Sequence, residues 1–224
     1  MRILKVAVFV AALGPVGWLV WAALTGNLSA NPLSDITNET GVWALRFVCI
    51  TLAITPLRRL TGWNAVIRVR RMAGLYAFFY GTLHFLTYMI VDRLFGLDRV
   101  IANPSNIFAL ATIGDLARSV GADIYKRPFI TVGFTTWLTM LPLAVTSTAG
   151  WIRRLGGRTW NRLHRLIYAT GVVAVLHYWW LVKADVSRPL TYGAIVLVLL
   201  SARVVWARRR TPASAGAMMR SAGP

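Results

Sequence analysis

Six stretches of this chain, at about residues 6–24, 42–57, 72–91, 130–149, 166–183 and 189–206, are apolar over most of the length that a helix needs to cross a bilayer. A hydrocarbon core about 30 Å thick takes roughly 20 helical residues, and with no water inside it to satisfy an open backbone, such stretches fold as helices. The connections between them are strongly basic. The chain is 57% hydrophobic, with a mean hydropathy of +0.58, and still carries a formal charge of +18, a pairing that points to a membrane domain. Its Lys and Arg residues stand in short clusters between uncharged runs and form no continuous stripe, which argues against nucleic acid as a partner. The expected architecture is an all-α integral membrane six-helix bundle. Residues 1–210 form one transmembrane domain, and the Ala-, Gly- and Ser-rich residues 211–224 form a flexible cytoplasmic tail.

Charge also orients the bundle. The amino terminus, residues 58–71, residues 150–165 and the tail after 207 carry arginines without an acid among them, whereas all seven acids, from Asp35 to Asp185, fall in the other three connections. The positive-inside rule then puts both termini in the cytoplasm. Arg2 and Lys5 before the first span also fit a signal peptide, but the apolar run exceeds the about 7 to 15 residues usual for one. Arg46 lies toward the outer end of its span, where its stem can snorkel. In the long 92–129 connection, "NPSNIFALATIGDLARSVG" reads as a capped, short amphipathic helix lying on the bundle, either a packing lid or a docking surface.

Two of the three histidines stand at one depth. His84 and His177 lie 12 and 11 residues from the inner ends of spans that run in the same direction, so at about 1.5 Å per residue they share a level near the midplane. Parallel helices at that level present one imidazole to each face of a flat macrocycle such as haem. Cys49 is the only cysteine, so there is no C-x-x-C-H, and a haem here is held without covalent links. Gly81, Ala174 and Thr170 leave room near the histidines; Tyr76, Tyr80 and Tyr88 either line that pocket or belong to an interfacial belt, with Tyr80 deepest. His164 is about 140° from His177 on an unbroken helix and belongs elsewhere. With Arg70 and Arg71 it frames an inner site suited to an anion: haem propionates, a flavin phosphate or lipid headgroups.

Four segments, "ETGVWALRFVCITLAITPLRR" (39–59), "RRMAGLYAFFYGTLHFLTYMIVD" (70–92), "KRPFITVG" (126–133) and "GRTWNRLHRLIYATGVVAVLHYWWLVK" (157–183), resemble the MsrQ (YedZ) family within the ferric-reductase-like transmembrane proteins. The resemblance implies a multi-pass protein of the bacterial inner membrane that binds b-type haem. It implies that electrons come from a cytosolic flavin reductase, or from a quinone, and pass to MsrP, a periplasmic molybdenum-dependent methionine sulfoxide reductase; FMN binding is associated with the family. Larger relatives use two histidine pairs for two haems. Here Arg70 and Arg71 replace the expected inner histidine, so one haem on His84 and His177 is implied and a second on His164 stays open. The chain has 18 residues after its sixth span, too few for the NADPH and flavin domain of those relatives, and an external donor is expected. Two other classes compete: a transporter using the histidines for a transition metal, and a non-redox membrane anchor for a periplasmic partner. A haem absorption spectrum discriminates against both.

Overall fold

The computed structural model describes residues 2–89 and 113–208, and among these residues every regular element is helical. In chain order they are α1 (Arg2–Leu24), α2 (Pro32–Thr61), a 3-10 helix (Asn64–Val69), α3 (Arg70–Leu86), α4 (Ile113–Lys126), α5 (Pro128–Val145), α6 (Ala149–Leu163), α7 (Leu166–Leu181) and α8 (Ser187–Arg208). Helices α1, α2, α5 and α8 are long and apolar enough to cross a membrane, and α7 is apolar over 16 residues. Residues 90–112 and the tail 211–224 lie outside the described residues, as does the first half of the short helix expected near 103–121. Its second half is present as α4.

Helix starts follow local chemistry. The Asn31 side chain accepts from the Ser34 N–H while Pro32 opens α2, so an orphan donor is satisfied where proline costs nothing. Pro128 opens α5 in the same way and holds Arg127 extended, which breaks α4 from α5. The stretch 150–165, expected as a loop, is instead helix α6, interrupted at Gly156 with φ 71° and ψ 152°.

Packing is paired: α2 lies along α3 and α5 along α7, and the two pairs meet across the bundle, with α8 closing against α2 and α7. Phe47 stacks on both Tyr76 and Tyr80 at 5.3 and 5.4 Å between α2 and α3. The two tyrosine hydroxyls then donate to α1, Tyr76 to the Phe9 carbonyl at 2.9 Å and Tyr80 to Ala12 at 2.7 Å. Tyr80 therefore fastens α1 and is not a wall of the histidine pocket, contrary to expectation. Arg46 is part-buried and has protein partners, donating to the Tyr192 hydroxyl at 3.0 Å and lying 4.4 Å over the Trp43 ring. Outward-facing residues such as Trp18, Leu138, Leu176 and Leu197 are exposed and apolar, the surface that a lipid environment requires.

Candidate functional site

His84 on α3 and His177 on α7 face one another with ring centroids 6.1 Å apart and ring planes 77° to each other. The N–H at His84 Nδ1 donates to the Thr37 carbonyl, and that at His177 Nδ1 to the Phe129 carbonyl, both at 2.8 Å. A carbonyl only accepts, so each Nδ1 carries the proton and each Nε2 is left with its lone pair, the form a metal binds. Metal–imidazole bonds of about 2.0–2.1 Å on either side of one ion put two ring centroids about 6 Å apart. The observed separation fits that requirement.

The two halves of the site repeat one device. Each carbonyl belongs to a helix whose residue four positions later is glycine, Gly41 after Thr37 and Gly133 after Phe129. A Cβ on Gly41 would stand 3.0 Å from His84 Nδ1, and one on Gly133 would stand 2.6 Å from His177 Cε1. Real Cβ atoms essentially never approach as closely as the one on Gly133 would, and the one on Gly41 would require His84 to give by a few tenths of an ångström, so the missing side chains let the imidazoles reach their carbonyls. Sequence reasoning missed all four residues. Depth alone could have found the glycines, once it was known that α2 lies against α3 and α5 against α7.

Both histidines line a cavity of about 490 Å³ between the helix pairs, the size of a small-molecule site. Val48, Gly81, Thr136 and Met140 form its wall, and Phe85, Phe134 and Trp137 add an aromatic side with centroids 5.0–6.0 Å apart. Gly81 and Ala174 line it as expected, whereas Thr170 is fully buried and bonds Thr139 at 3.0 Å. The start of α2 (Thr37, Asn38), Tyr88 beyond α3, Arg127 before α5 and Val182 after α7 line the cavity too, which among the described residues places its mouth at one end of the bundle.

His164 and the arginines gather at the other end. His164 sits in the break between α6 and α7, so the two histidines do not share one unbroken helix. Its ring stacks 3.8 Å from Trp160, and Nε2 pairs with the Thr146 hydroxyl at 3.1 Å. Burial, and then the nearby Arg70 guanidinium, push its pKa down to about 4, so the ring is neutral at pH 7. Arg70 is half-buried and Arg71 exposed. Arg203, on α8, was missed by sequence reasoning. It donates to the Tyr168 hydroxyl at 2.9 Å and the Leu52 carbonyl at 2.7 Å, within electrostatic reach of Arg70 and Arg59. Neither His164 nor Arg70 lines the cavity of His84 and His177.

Residues 40–175 match the family described as "Ferric reductase like transmembrane component". The chain is 49% identical to a protein of Ralstonia nicotianae over 93% of its own length and 88% of the relative's. It is 46% identical to one of Herminiimonas arsenicoxydans (92% and 87%) and 45% to one of Xanthomonas oryzae pv. oryzae (94% and 94%). Each is named the heme-binding subunit MsrQ of protein-methionine-sulfoxide reductase. No solved structure matches with significance. A multi-pass helical membrane chain that matches these relatives along nearly all of its length belongs to the MsrQ family of ferric-reductase-like transmembrane proteins.

Proposed function

We propose that this protein is a b-type haem electron carrier of the bacterial inner membrane, with His84 and His177 as the axial ligands. It takes electrons from a cytosolic flavin reductase, through flavin, or from a quinone, and delivers them to the periplasmic reductase MsrP. The observation that carries this reading is the matched pair of imidazoles, each tautomer fixed by a helix carbonyl, across a cavity walled mostly by apolar groups. When bound, the haem supplies one-electron redox chemistry that no side chain here provides. The chain's own residues do the rest. Thr37 and Phe129 orient the ligands, Gly41 and Gly133 admit them, and the aromatic wall excludes water.

In this reading α1, α2, α3, α5, α7 and α8 are six crossings and both termini are cytoplasmic. The cavity mouth faces the periplasm, and the end bearing Arg59, Arg70 and Arg203 faces the cytoplasm, as positive charge favours. Arg70, with Arg71 at its edge, and His164 then form the surface where the anionic donor or a bound FMN phosphate meets the chain. His164 has one ring nitrogen engaged by Thr146 and an indole on its face, an environment supporting an electron-entry role more than a second haem.

The test is the spectrum of the purified protein, oxidised and dithionite-reduced, with haem quantified by pyridine haemochrome. Bis-histidine b-type bands are expected, and both His84→Ala and His177→Ala should abolish them, because either leaves one axial position empty. Absence of haem from the wild type would return the chain to the transporter or anchor classes.

A further inference from the structure

Arg127 is the one charged side chain, histidines apart, among the described residues that line the cavity. It stands at the mouth, held extended by Pro128, two positions before the carbonyl that orients His177. Its guanidinium lies 3.4 Å from the carboxylate of Asp123 one helical turn earlier. Asp123 is itself buried and accepts from the Tyr88 hydroxyl at 2.7 Å, and Tyr88 is a second mouth residue. A cation, a phenol and an amide, Asn38, thus converge at the polar end of a cavity whose remaining wall is apolar.

We infer that Arg127 is the counter-ion for a carboxylate of the bound cofactor, so that a carboxylate-bearing tetrapyrrole enters with its acidic edge toward the mouth. The inference rests on the haem reading of the same site and adds its orientation. A carboxylate drawn into the apolar part of that cavity would lose its water without gaining a partner, whereas at the end where Arg127 stands, its side chain 51% exposed, it keeps both a cation and solvent. The guanidinium fork serves both this carboxylate and that of Asp123, because its five N–H donors exceed what Asp123 alone can use. Among the described residues no other cation lines this cavity, and the three arginines at the opposite end do not reach it.

The test measures haem retention and midpoint potential on purified, haem-loaded protein. Arg127→Gln removes a positive charge that favours the ferrous form. With an effective dielectric near 20, loss of one positive charge at the edge of the cavity would shift the ferric–ferrous equilibrium on the order of tenfold, toward ferric. For a one-electron couple that is a fall of about 59 mV. Asp123→Asn should move the potential the opposite way, and Arg127→Lys, which keeps charge without the fork, should lie between wild type and Gln. Retention gives the decisive contrast. Transfer of haem to apomyoglobin should be faster from Arg127→Gln than from wild type, and faster from wild type loaded with haem dimethyl ester. In Arg127→Gln the ester should cause no further loss, because the partner of the carboxylate is already gone. Additive effects of ester and substitution, or wild-type retention and potential in Arg127→Gln, would overturn the inference while leaving bis-histidine ligation standing. A wild type without haem would instead sink the parent reading. Should Arg127→Gln fail to accumulate, the ester comparison between wild type and Arg127→Lys decides the same question.

Discussion

Gly41 and Gly133 act through what they lack, and the two differ in how much they tolerate. A methyl on Gly133 would press on three atoms of the His177 ring at 2.6–3.0 Å, whereas one on Gly41 touches His84 at 3.0 and 3.1 Å. Gly133→Ala should therefore displace His177 and convert the low-spin haem spectrum toward a weakened or high-spin form. Gly41→Ala should give a smaller change, and Gly157→Ala, whose new methyl would meet nothing within 4 Å, none. Absorbance in the oxidised state reads all three, and equal spectra for Gly133→Ala and Gly157→Ala would contradict the packing. At this scale the sequence made legible that the His84 and His177 rings meet. His84 and His177 follow from their depth alone. Thr37 and Phe129 act through backbone carbonyls, which every residue owns, so nothing in their identity announces them. Arg127 was hidden by company, one basic residue among many.

The paired helices α2–α3 and α5–α7 build the site, and α1 is attached to them by an apolar seam through Val8, Ala12 and Val16 and by two hydroxyls. Tyr80 is fully buried and donates to Ala12, so Tyr80→Phe leaves its own cavity filled and removes one hydrogen bond, at a cost of about 1 kcal/mol. The expected outcome is a modestly lower melting temperature in detergent with unchanged haem content, and a loss of haem would show that Tyr80 touches the site after all. Hydrophobic length located α1, α3, α5, α7 and α8 to within about five residues, because bilayer crossing is a constraint on length and polarity, but it caught only the middle of α2. It failed on α6. That segment is rich in arginine and bears a double glycine, signals that read as loop, yet Thr148 caps it by accepting from the Trp151 N–H, and its two halves turn about Gly156.

For the molecule as a whole, the two ends have opposite chemistry: a mouth carrying Asp123 and Arg127, and a far end carrying Arg59, Arg70, Arg203 and a neutral His164. If electrons enter at the basic end, Arg70→Ala and His164→Ala should keep the spectrum of the His84 and His177 haem while slowing its reduction by reduced flavin several-fold. Arg71→Ala, at an exposed position, should matter less. Stopped-flow absorbance measures these rates, and wild-type rates in both variants would place entry elsewhere. That the ends differ was legible in the arrangement of charge; that Arg203 joins the basic end was not, because it lies in an apolar span and only the fold turns it toward Tyr168. One consequence follows from the 77° between the imidazole planes, which the two carbonyls set independently from separate helix pairs. If the two imidazoles hold one haem iron at that angle, as proposed, their π donation would be spread nearly equally over both of the iron's dπ orbitals and leave these nearly degenerate. The ferric protein should then give a strongly anisotropic electron paramagnetic resonance signal with one very large g value, and that line would report, from the unpaired electron, how the four helices cross.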